Sequence, residues 1–69
     1  MGASPARIAS RVLAREGIEA IWRLHEAAAS AHRAGHAWAA ETLIEIADAA
    51  EEIWWQRVIE EFRPSSLSS

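Results

Sequence analysis

Residues 26–55 read EAAASAHRAGHAWAAETLIEIADAAEEIWW, and the glycine at position 35 decides how the stretch folds. Alanine, the strongest helix former, dominates both sides of it. Before it, His32 and Arg33 place positive charge where the carbonyl end of a helix favours it. Gly35 stands where a helix of L-residues stops on a left-handed residue. After it, helical periodicity resumes within two residues. So short a link joins antiparallel neighbours, and the stretch reads as a helical hairpin.

The first arm is predicted over about 18–34. Ile18, Ile21, His25, Ala28 and His32 recur at alternating spacings of three and four, the pattern of a seam between paired helices. Trp22 and Ala29 widen that stripe, and Trp22 is expected in the core. The second arm is predicted over about 36–63, stopped by Pro64. Its seam reads Ala40, Leu43, Ala47, Ala50, Trp54, Val58 and Phe62, flanked by Ile44, Ile46, Ile53 and Trp55. A helix of that length spans roughly 40 Å.

Upstream, Ser4-Pro5 is a helix start: serine caps, and proline at the first helical position lacks only an N–H that no helical bond needs. A short helix is predicted over about 5–16. Ile8 and Val12 lie on one side of the wheel, and the Ile18–His32 face lies nearly opposite. One straight helix through Gly17 would have to swing its buried side around, so a break at Gly17 is expected. The resulting class is all-α: one short helix, then a hairpin, in a single domain over residues 1–64. Residues 1–3 are expected to fray and residues 65–69 to form a polar, disordered tail.

Composition narrows function mainly by exclusion. The chain has 69 residues, no cysteine, no lysine and a net charge of −3. Disulfides and thiolate metal sites are therefore absent. An acidic balance disfavours direct nucleic-acid binding. Residues 8–18 faintly resemble the turn of a helix-turn-helix, but Arg23 and Glu26 then fall where that motif buries apolar side chains. Arg7, Arg11 and Arg15 interrupt any apolar leader, and no run is long enough to span a bilayer, so a cytoplasmic protein without membrane contact is expected. No nucleophile context appears, and a pocket of about 300 Å³ is not expected of so small a chain. The expectation is a protein that is not an enzyme and carries no cofactor.

Three features remain. Four tryptophans are many for this length. The second arm outruns the first, leaving Trp54, Trp55, Val58 and Phe62 on an overhang that helix one or a second subunit must cover. These four are the candidate partner interface, and a homodimer forming a helical bundle is the leading expectation. Glu41, Glu45, Asp48 and Glu52 form an acidic line, a possible docking face for a heterologous partner. His32 and His36 are separated by four residues, a spacing that lets two imidazoles share a metal, with Glu41 or Glu45 as further ligands. Gly35 interrupts that phase, and no metal site is assigned.

The leading functional expectation is a non-enzymatic protein–protein interaction module, self-associating through its Trp-rich face. The alternative is a small acidic inhibitor from a phage or mobile element, of the anti-CRISPR or DNA-mimic kind, acting on a host nucleoprotein. A His-based metal-binding bundle is the third.

Overall fold

A computed structural model describes residues 4–62 and shows three helices: α1 (Pro5–Glu16), α2 (Glu19–Arg33) and α3 (Ala37–Phe62). The fold is all-α, as the periodicity indicates. The expected frayed start at 1–3, the stop at Pro64 and the tail at 65–69 lie outside the described residues.

Each junction has a local cause. Ser4 caps α1, its hydroxyl accepting the Arg7 N–H at 3.2 Å, and Pro5 opens the helix. Gly17 ends α1, its N–H donating to the Leu13 carbonyl at 2.8 Å. Its φ of +74° is positive as expected, but its ψ of −160° is not left-handed helical. That combination is essentially open to glycine alone. Helix α2 begins two residues later. Ile18 already has helical angles and offers no side-chain cap. Tight i→i+3 bonds close this turn, from the Ala20 N–H to Gly17 and from the Ile21 N–H to Ile18. Arg23 donates back to Glu16 at 3.2 Å across the corner.

The Gly35 turn is a complete Schellman motif. The His36 N–H donates to Ala31, the Gly35 N–H donates to His32, and Gly35 has φ +83°. Two otherwise orphaned carbonyls of α2 are thereby satisfied. The Ala40 N–H then donates to the His36 carbonyl at 2.9 Å, starting α3.

Helix α1 packs chiefly against α3. The core cluster joins Ala9 of α1 to Ile46 and Ala50 of α3, with Ile8, Ile21, Leu24, Ala49 and Ile53 packed around it. This placement corrects the expected seams. On α2 the inward residues are Ala20, Leu24 and Ala28, with Ile21 and Ala31 half-buried, whereas Ile18, His25 and His32 are exposed. On α3, Ala40, Ala47 and Ala50 are buried as expected, but so is Ile46, and Phe62 is exposed. Both buried arcs rotate toward α1, which the hairpin pattern alone does not locate. Helix α1 reaches α3 alongside Ile46–Ile53, so the overhang keeps Trp55, Ile59 and Phe62 exposed. Trp22, expected in the core, is 68% exposed.

The interior is made of small groups. Six of the eight buried hydrophobic residues among those described are alanines; Leu13 and Ile46 are the others. Alanine lets helix backbones approach closely but buries little apolar area, and burial contributes only about 25 cal/mol per Å². Among the described residues no large side chain is fully buried. No helix among them is long and apolar enough to cross a membrane.

Candidate interaction face

With α1 on one side, the other side of the hairpin is open. On α3 the stripe Ile44, Glu51, Trp55 and Phe62 lies about 160° around the helix from Ile46 and Ile53 at 3.6 residues per turn, with Ile59 at its outer edge in phase with Glu41. On α2 the corresponding stripe is Ile18, Trp22, His25, Ala29 and His32. The residues of both stripes are exposed. The α2 pattern that the sequence presents as a hairpin seam therefore borders this open side, with Ala28 at its inner margin.

Between the stripes runs an open, mostly apolar groove of about 350 Å³, lined by His25, Ala28, Ala29, His32, Ala40 and Ile44. Its size exceeds what was expected of so short a chain. Alanine explains it: methyl groups at 28, 29 and 40 hold the helices together without filling the space above them. Beside the groove, His25 Nε2 lies 3.3 Å from Glu51 Oε2, joining α2 to α3. Both side chains are nearly half exposed, so solvent screens the pair.

The aromatic residues sit at the wide end of this face. Trp55, Ile59 and Phe62 are 50–78% exposed and follow one another at i, i+4 and i+7. Trp54, next to Trp55 with ring centroids 5.4 Å apart, turns inward and is half-buried, as is Val58. Of the four expected interface residues, Trp55 and Phe62 lie on the open stripe, and Trp54 and Val58 on its inner margin. Sequence reasoning passed over Ile59 and Glu51 and put Ile18 in the hairpin seam. Ile59 was legible as the residue four after Trp55. Glu51 shares the phase of Ile44 and Trp55 and not that of the acidic line.

Glu41, Glu45, Asp48 and Glu52 are all exposed and form a line along the outer edge of α3, beside the open face. Among the described residues none of the four has a cation within ion-pair distance. The histidines separate: His25 and His32 line the groove, while His36 belongs to the turn after Gly35. Among the described residues no group of three or more histidine or carboxylate side chains is placed to hold a metal ion. What the arrangement offers chemically is an apolar surface with one polar bridge across its midline and an acidic rim. No family model, no curated protein and no solved structure matches the chain.

Proposed function

We propose that this chain is a protein-interaction module that docks an apolar helical surface onto the open face of α2 and α3. One observation carries the reading: the large apolar residues left exposed cluster largely on one face. Alanines make up most of the fully buried positions, while six of the seven exposed large apolar residues among those described, Ile18, Trp22, Ile44, Trp55, Ile59 and Phe62, lie on or beside one face; the seventh, Trp38, 80% exposed, lies on another side of α3. Exposed apolar residues clustered on one face mark interaction surfaces, and tryptophan is enriched among residues that dominate binding. A photo-crosslinking amino acid at position 55 tests the proposal in cells. Adducts with a protein, a second copy included, are expected from position 55 and not from Arg11 on α1. No adduct at 55, or equal yields from both positions, would overturn it.

The acidic line supports a second reading: a small acidic inhibitor of phage or mobile-element origin, docking on the basic surface of a host nucleoprotein. Unpaired carboxylates spaced along one helix edge can stand in for phosphates. Replacing Glu45 and Asp48 together by arginine should then abolish inhibition of a nucleic-acid-binding target. Undiminished inhibition by that double variant excludes the reading.

A further inference from the structure

We propose that the occupant of the open face is a second copy of this chain, related by a twofold axis parallel to the helices, so that α2 of each copy lies on α3 of the other. The proposal rests on the reading of this face as a docking surface and names its partner. Two twofold arrangements can bring the open faces together. An axis perpendicular to the helices stacks α3 on α3 and α2 on α2. An axis parallel to them stacks α2 on α3 in the same antiparallel sense that the hairpin already uses.

Charge decides between them. The outer edge of α3 carries Glu41, Glu45, Asp48 and Glu52, without a described cation beside them. Stacking α3 on α3 sets two such lines edge to edge, and juxtaposed like charges oppose association. The outer edge of α2 carries Trp22, Glu26 and Arg33, with Glu19 on the same line but beside Arg23 at 4.0 Å, so it is less acidic than the outer edge of α3. Arg33 has no carboxylate within ion-pair distance among the described residues. Arg33 closes α2 and Glu41 lies in the second turn of α3, so both sit near the Gly35 end of the hairpin. The parallel axis brings Arg33 of each copy level with Glu41 of the other, and by symmetry the contact occurs twice.

The rest of the face suits the same arrangement. Ile18 and Trp22 begin α2 at the level where α3 passes Trp55, so the apolar ends meet. The overhanging Ile59 and Phe62 of the two copies converge across the axis. The His25–Glu51 bridge lies on the midline of the face and is already hydrogen-bonded, which lowers the cost of covering it.

Sedimentation equilibrium on a charge-swap set tests the proposal. Arg33 and Glu41 are exposed, and circular dichroism should show each variant as helical as the parent. The parent should dimerise at about 100 μM, well above a micromolar Kd. Arg33→Glu and Glu41→Arg should each weaken the dimer by about threefold to tenfold, since two symmetric surface pairs are lost. Combining them should restore the parent Kd. A parent that stays monomeric overturns the second copy and leaves the docking face to a different partner, which the crosslinking at position 55 reports separately. Tighter association of Glu41→Arg alone, or a double variant no better than either single, overturns the arrangement.

Discussion

His25 Nε2 lies 3.3 Å from Glu51 Oε2, and this contact is the described polar side-chain bridge between α2 and α3. It sits on the side of the hairpin away from α1, beside an apolar groove that shares His25. In the free chain water reaches both groups. His25→Ala and Glu51→Gln should each change the free energy of unfolding by less than about 1 kcal/mol, as exposed ion pairs do. The contrast comes when the face is covered. Removing one partner then leaves the other buried and unpaired, and association should weaken by about tenfold or more. Urea unfolding and sedimentation on the same variants compare the two effects. Equal, small effects in both measurements would mean that the bridge stays in water.

The two glycine turns differ in what they tolerate. At neither Gly17 nor Gly35 would an added Cβ meet another atom within 4 Å, so the cost of substitution is backbone strain alone. Gly35 is in a cap geometry that asparagine also adopts, and Gly35→Asn should cost little, while Gly35→Ala costs about 1 kcal/mol. Gly17, with ψ −160°, is in a region that side-chain-bearing residues avoid. Gly17→Asn and Gly17→Ala should both cost about 1–3 kcal/mol. Chemical denaturation of the four variants gives the order directly. A tolerated Gly17→Asn would show that the corner relaxes to a left-handed cap.

An interior of alanines has little to lose by truncation and is exposed chiefly to overpacking. Ala9 and Ala50 are fully buried where α1 meets α3. Ala9→Leu or Ala50→Leu should destabilise by about 1–3 kcal/mol through overpacking. Trp22→Ala, although it removes the larger side chain, should change stability by no more than about 0.5 kcal/mol in the free chain. Thermal melts at low protein concentration measure both. If the leucine variants were neutral, the three helices would have room that the close packing denies them.

The same alanines mark where sequence reading stopped short. Helix ends were legible because each has a dedicated residue: Ser4 and Pro5 at the start of α1, Gly17 at the corner, Gly35 at the hairpin turn. Those positions act locally, through dihedral preference and one or two hydrogen bonds. The buried faces were legible only in part. A run such as Ala27-Ala28-Ala29 contains no contrast in side-chain size, so periodicity cannot say which alanine turns inward. Side-chain size then points Trp22 to the core and Ile18 to the hairpin seam, and both are exposed. The position of α1 was the missing quantity. It packs beside Ile46–Ile53, drawing both buried arcs toward itself and leaving the regular α2 seam on the margin of the open groove. Trp55 and Phe62 emerged as surface candidates because a length mismatch between helices is visible in sequence, whereas the His25–Glu51 bridge depends on register between α2 and α3.

Trp54 and Trp55 give the sharpest single comparison, since chemistry, helix and neighbourhood are held nearly constant. Their rings touch at a tilt of 58°, yet Trp54 is half-buried and Trp55 is mostly in solvent. Truncating a fully buried tryptophan costs about 3–5 kcal/mol, so Trp54→Ala should cost roughly half of that in the free chain. Trp55→Ala removes a ring that is 56% exposed together with its contact to Trp54, and should cost monomer stability about 1 kcal/mol or less. For docking the order reverses. Trp55 leads the exposed series that continues through Ile59 and Phe62, and truncating a residue at the centre of such a patch costs about 2 kcal/mol or more, equivalent to some thirtyfold in affinity. Unfolding of the dilute chain and association of the concentrated chain should therefore rank the two substitutions oppositely. The same ranking in both assays would place Trp55 in the fold and take the open face out of the binding reaction.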